Sequence, residues 1–408
     1  MNACLIKEKV FLVLLLFYFS VESLGLAKAG INDGEVVKVG CLFPLAGPGG
    51  LYGRDSVAAV KMALADLESS KKSYPAIEVL FGDTRSKSLR AVQIARNFIK
   101  DDQVDFLCGV VSSQIALAVT EIAKENEVFF IGTDHASSSL VNESLHPFYF
   151  RVSNGTRQSM LAGAKYIREN FAKEKRLKIA FIGPDYNYGY QAWDDLRYFL
   201  DKEGVSFDIV GEFWPKLFET DYSIYIYELK NSKPDIVVNG QWGQDLVTFI
   251  KQAKPLGLFN ASQVMNFDAG GNYATLAEMG EDMPIGMVLS ARHHVNWPDT
   301  KENRNFVKTF KEKVGRYPSY AAQGAYSGII SIAEALRVTE GDKSKEKLKQ
   351  ALENLTVKLP EDPEGYSSKM DALTHQMIQA QAIGKTELNN QYKPAKVLLG
   401  DWFIYTPK

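Results

Sequence analysis

The strongest constraint on this chain is a rhythm that runs through it twice. Short, almost wholly apolar runs at 36–43, 77–81, 104–110 and 128–131 alternate with segments at 53–67, 89–99 and 114–125 whose apolar residues recur at helical spacing. Strands that are apolar on both faces belong in a parallel sheet covered by helices on each side. The rhythm restarts after 150–157, with strands expected at 177–182, 205–211, 235–239 and 263–267 and helices at 191–200, 222–229, 246–254 and 273–279. Two successive series predict an α/β protein of two doubly wound, Rossmann-like lobes. A chain of 408 residues is long enough to bury both cores.

The remaining segments complete these lobes. A strand at 286–291 precedes helices at 302–314, 321–337 and 344–352, and strand-like runs follow at 377–383 and 397–404. The chain is therefore expected to pass between lobes near 150–157, 288–294 and 372–377, by short extended segments suited to a three-segment hinge. The resulting division is 30–153 and 289–374 for the first lobe, and 154–288 and 375–408 for the second.

The N-terminus has its own logic. Lys7 and Lys9 precede an apolar run at 10–19, followed by Gly25 and the small-residue site Ala27-Lys28-Ala29. A basic start, a short apolar core and an A-x-A site predict a secretory signal peptide over 1–29, cleaved after Ala29, and hence a periplasmic protein. Cys4 lies before the apolar run, where no lipid attachment is expected. The other cysteines, Cys41 and Cys108, sit in strand-like runs and leave two readings: buried small hydrophobes, or a disulfide between adjacent strands in an oxidising compartment.

Charge and motifs exclude several classes of function. A formal net charge of -2 without a basic patch offers no attraction for nucleic acid. The glycine-rich segment at 44–53 lacks G-x-G-x-x-G spacing and carries Pro48, so no dinucleotide is expected. Asp134, His135 and the serines at 137–139 have the residue types of a hydrolase, but sequence neighbours rarely orient one another that way and no G-x-S-x-G elbow is present. His293 and His294 are adjacent, which points them apart on a strand, so no metal site is expected. The chain reads as a non-enzyme with no cofactor.

In an open parallel sheet, ligands bind beyond the carboxyl ends of the strands, where helix N-termini point. Ser112 and Ser113 stand at such a start and suit a carboxylate or other small anion, or else simply cap the helix. The loop at 132–139, with Thr133, Asp134 and His135, collects polar groups at another strand end. Loops at 183–189, 239–243 and 266–271 place Tyr188, Trp242 and Asp268 at the corresponding ends of the second series. Aromatics beside amides and carboxylates suit a pocket that holds a small polar solute.

Several collinear segments carry a resemblance: "GCLFPLAGPGGLYG", "FLCGVVSSQIALAVTEIA", "PFYFRVSNGTRQSMLAGAKYI", "IAFIGPDYNYGYQAW" and "KPDIVVNGQWGQDLVTFIKQAKPLG". From Val37 to about Thr356 the chain resembles the branched-chain amino-acid-binding (leucine-binding) family of periplasmic proteins, the type I solute-binding fold of ABC importers. The resemblance implies capture of an amino acid or similar small polar or carboxylated solute by hinge closure, and delivery by a monomer to a membrane permease and its ATPase. The alternative is a periplasmic sensor of an amide, urea or aromatic acid that feeds a signalling partner. Carried over by position, it implies Tyr52 near the ligand, Ser112 or Ser113 on its carboxylate, and 133–137 completing the first lobe's contacts. Tyr188 would close from the second lobe, Trp242 would lie beside the solute, and Asp268 would meet an α-amino group. One departure is visible: Asp134-His135-Ala136 stands where the family commonly has Gly-Ala-Thr, and leaves open whether Asp134 and His135 meet the ligand or each other.

Overall fold

The structure is a computed structural model that describes residues 27–29, 36–172 and 175–407. Most of the expected signal peptide, residues 1–26, lies outside the described residues. The first sheet opens with β1 (Ala27–Ala29), β2 (Val37–Phe43), β3 (Ile77–Asp83), β4 (Phe106–Gly109), β5 (Phe129–Gly132) and β6 (Tyr149–Arg151), with helices α1 (Gly50–Ser69), α2 (Ser88–Lys100) and α3 (Ser113–Asn126) between them. Strands β2 to β6 are parallel, while β1 runs antiparallel on the outer edge of β3. Val39, Cys41, Leu42 and Phe43 of β2 are all buried, so both faces of the strand are covered, as its unbroken apolar run requires.

Helix α4 (Thr156–Asn170) leads into the second sheet. Its parallel strands are β7 (Leu177–Ile182), β8 (Phe207–Phe213), β9 (Ile236–Asn239), β10 (Gln263–Asn266) and β11 (Val288–Ser290). Between them lie α5 (Asn187–Lys202), α6 (Ser223–Asn231), α7 (Gly243–Ala253), the single turn α8 (Leu258–Ala261) and α9 (Tyr273–Met279). The chain then returns to the first lobe with α10 (Lys301–Val314), α11 (Tyr320–Val338), α12 (Lys345–Glu353) and strands β12 (Thr356–Val357), β13 (Ser368–Asp371) and β14 (Gln376–Ile378). Helix α10 starts where the Thr300 hydroxyl accepts from the Asn303 amide and stops at Gly315, whose φ of 80° suits glycine. Strands β15 (Gln381–Leu388) and β16 (Val397–Tyr405) form an antiparallel hairpin on the edge of the second sheet.

The strand orders are β1-β3-β2-β4-β5-β6-β14-β13-β12 and β16-β15-β11-β10-β9-β7-β8, which establish two α/β lobes. One expectation needs correction. The run at 377–383, read as a single strand, is two: β14 belongs to the first sheet and β15 to the second. The third passage is therefore at Gln379–Ala380, later than 372–377. Apolar periodicity cannot reveal that a strand changes sheets, because both halves are buried alike.

The three passages lie side by side. Asn154 donates to the Gln381 side chain at 2.7 Å, Gln376 donates to the Ser153 carbonyl at 2.8 Å, and Gln381 donates to the Ser290 hydroxyl at 2.6 Å. The paired cysteines lie elsewhere, deep in the first lobe. Cys41 and Cys108 are in register on β2 and β4, with Cα atoms 4.4 Å apart, and form a disulfide.

Candidate ligand-binding site

Between the lobes, the carboxyl ends of both sheets face one small cavity. The first lobe contributes Val111, Ser113, Ala136 and Tyr320, the second contributes Tyr186, Tyr188 and Trp242, and Arg292 enters from the second passage. A neighbouring cavity is lined by Ser112, Gln114, Phe218 and again Trp242. The two serines thus face different spaces, and Trp242 stands between them.

Local sequence explains how the aromatic walls are held. Helices α1, α5 and α7 begin three or four residues earlier than their apolar periodicity suggests, which places Tyr52 and Tyr188 in first turns and Trp242 at the residue preceding α7. Gly-rich, aromatic starts have weak helix propensity and mask the true beginning. Tyr52 is buried against Trp242, with ring centroids 6.0 Å apart, and against Tyr320 at 5.4 Å; its hydroxyl accepts from Asn272 of the second lobe at 3.2 Å. Burial pushes the Tyr52 phenol up to about 12, so it stays a neutral donor. Trp242 donates its indole N–H to the Tyr186 hydroxyl at 3.1 Å, which leaves the hydroxyl proton of Tyr186 free for another acceptor.

Helix α3 begins without a side-chain cap, so neither serine plays the capping role. Ser113 is buried, and its Oγ accepts from the amides of Ala136 and Ser137 at 3.3 and 3.1 Å. It braces the 133–137 loop and keeps its own hydrogen for a further acceptor. Helix α11 fixes the other side of that loop: a Cβ on Gly324 would lie 1.9 Å from the Thr133 carbonyl oxygen. The Thr133 hydroxyl is buried and has no hydrogen-bond partner within the protein.

At the centre stands a residue that sequence reasoning missed. Arg292 donates to Asp134 Oδ1 of the first lobe at 2.9 Å and to Asp268 Oδ2 of the second at 2.5 Å, and its guanidinium carbon lies 4.8 Å from the centroid of the Tyr320 ring. Burial works against its charge, but Asp268 and Asp134 together hold its pKa well above the ordinary value. Burial pushes the Asp134 carboxyl up to about 7 against the pull of Arg292. Arg292 therefore stays charged. Asp268 accepts two further bonds, from Ser159 at 2.9 Å and from Tyr188 at 2.8 Å. No side chain in the arginine's surroundings in sequence forecasts this role; it depends on two carboxylates that are distant in the chain.

His135 turns away from the cavity. Its ring bonds the Val110 carbonyl at 3.0 Å and the Tyr149 hydroxyl at 2.7 Å and stacks on Phe130, and burial lowers its pKa to about 3. The two side chains of Asp134 and His135 do not satisfy one another. His293 and His294 also part, to Asn303 and to the Ala382 carbonyl respectively. Among the described residues no cluster of three or more His, Cys, Asp or Glu side chains could hold a metal ion, and no helix is long and apolar enough to cross a membrane.

The arrangement gathers side chains from two lobes around one cavity. Comparisons with known proteins bear on the family and the fold. The family model described as periplasmic binding protein matches residues 36–390. The Leu/Ile/Val-binding protein homolog 6 of Brucella melitensis is 26% identical over 365 residues, covering 88% of this chain and 90% of that protein. The fold matches an ABC-transporter solute-binding protein from R. palustris, solved with 4-hydroxybenzoate, with a TM-score of 0.79 and 20% identity over 91% of this chain and 97% of that one. It also matches a leucine-binding protein from Thermotoga maritima, with a TM-score of 0.75 and 18% identity over 91% and 99% of the two chains. These relatives are substrate-binding proteins, not enzymes. The chain belongs to the periplasmic binding protein family.

Proposed function

We propose that this protein is exported through a signal peptide ending at Ala29, captures a small carboxylated solute between its lobes as a monomer, and delivers it to the permease and ATPase of an ABC importer. The observation that carries the carboxylate is the uncapped start of α3, where Ser113 meets a cavity closed by the second lobe. Tyr186, Tyr188, Trp242 and Tyr320 give the solute a flat or apolar body to occupy. The ligands of relatives of the same fold, such as 4-hydroxybenzoate, have that chemistry. The three parallel passages near Asn154, Ser290 and Gln379 are the hinge, and solute entry requires the lobes to part there.

A thermal-shift screen with amino acids, amides and small carboxylates tests this reading. A carboxylate at 100 times its Kd stabilises the protein by about 2.7 kcal/mol. A screen in which amides or sugars stabilise the protein and no carboxylate does would remove the anion from the proposal. Mass spectrometry of the exported protein is expected to find an N-terminus at Gly30.

A further inference from the structure

We infer that Arg292 is a specificity-determining residue that occupies the place of a ligand's cation, so that the cleft selects carboxylic acids lacking an amino group over the corresponding α-amino acids. The inference rests on the proposed reading of this cavity as a carboxylate-binding cleft and adds what the rest of the solute must be.

An ammonium group bound in a closed cleft needs acceptors, because a desolvated cation without a partner is costly. The carboxylates nearest this cavity are Asp134 and Asp268, one in each lobe. Neither lines it, and Arg292 is the charged side chain that does. Asp268 already accepts from Ser159, Tyr188 and Arg292. Asp134 gives Oδ1 to Arg292, its Oδ2 is buried with no partner, and the residue does not line the cavity. Both acids are thus held by a cation that belongs to the protein.

The groups that do face the cavity are mostly donors. Ser113 and Tyr186 have hydroxyl hydrogens to give, and the buried Nε–H of Arg292 has no partner in the protein. An α-amino acid entering here would bring its ammonium beside the guanidinium, with both carboxylates already paired to that guanidinium. Its deaminated counterpart meets donors at one end and tyrosine and tryptophan faces along its body.

Matched pairs isolate the amino group. Titration calorimetry on the purified protein near neutral pH would compare 3-phenylpropanoate with L-phenylalanine and 4-methylpentanoate with L-leucine, with 4-hydroxybenzoate as a planar acid. The deaminated member of each pair that binds is expected to do so at least about tenfold more tightly. Equal affinity, or tighter binding of the amino acid, overturns the inference while leaving the carboxylate cleft intact. No binding by any of the five compounds overturns both. Arg292→Leu is expected to narrow or reverse the preference by freeing Asp134 and Asp268, whereas Arg292→Lys retains it. Should Arg292→Leu fail to fold, the wild-type pairs and Arg292→Lys still decide: loss of the preference in the lysine variant without a fall in its melting temperature counts against a role for the cation.

Discussion

Ser137 of the first lobe donates its hydroxyl to the side-chain oxygen of Asn187 in the second at 2.5 Å, across the cleft. Asn187 returns a bond to Ser139 at 3.1 Å, and Ser138 donates to Gln191 at 2.7 Å. The short helical turn Ser138–Val141 is thereby fastened to the first turns of α5, and the lobes meet beyond the cavity as well as around it.

Asn187→Ala removes two of these bonds. The closed form then loses about 1–2 kcal/mol relative to the open one, and solute affinity falls by roughly five- to thirtyfold. Stopped-flow release of a bound carboxylate is the measurement, and most of the loss is expected in the dissociation rate.

The two serines separate in mutagenesis. Ser113→Ala deletes the acceptor for two loop amides, so it is expected to lower stability by about 1–3 kcal/mol and to weaken carboxylate binding as well. Ser112 lines the neighbouring cavity, and Ser112→Ala is expected to leave both nearly unchanged. Urea unfolding and calorimetry on the two variants check this.

Removing the Cys41–Cys108 bridge frees a loop whose ends are 67 residues apart. Cys41→Ala combined with Cys108→Ala is expected to cost about 2–4 kcal/mol of stability, with solute affinity preserved because β2 and β4 remain paired. Chemical denaturation with and without reductant should give the same loss for the wild type.

His135 sets a pH dependence. Unfolded, it takes up a proton below about 6.5, and buried it resists until about 3. The unfolded state binds more protons between those values, so the stability due to this group is present above 6.5 and is lost as pH falls, by about 1.4 kcal/mol per pH unit. Asp134 acts oppositely: its raised folded pKa of about 7 favours the folded state at low pH, and that contribution declines as pH rises towards 7. Comparison with His135→Asn cancels the common part. The wild type's advantage over the variant is expected to shrink by about 2 kcal/mol between about pH 6.5 and pH 5 in urea titrations.

Much of the fold is legible because local chemistry and global architecture agree. Leu177–Ile182 and Tyr273–Met279 begin and end where their apolar patterns do. The aromatic helix starts at Tyr52, Tyr188 and Trp242 are harder, since glycine and aromatic residues signal loops even when tertiary contacts wind them into a first turn. His135 could not be assigned from its neighbours, because its partners Val110 and Tyr149 come from other parts of the chain. Arg292 carries no local signal at all. Its meaning arises only when Asp134 and Asp268, 134 residues apart by subtraction of their numbers, are brought to either side of it.

The divided run at β14 and β15 bears on how the molecule is made. The first sheet lacks three of its strands until residues 356–378 have been synthesised, and the second lacks its hairpin until residue 405. Neither lobe can be completed on the ribosome ahead of the other, since each waits for the tail of the same polypeptide. A chain built this way stays unfinished until its last strands are made, and acquires both halves together.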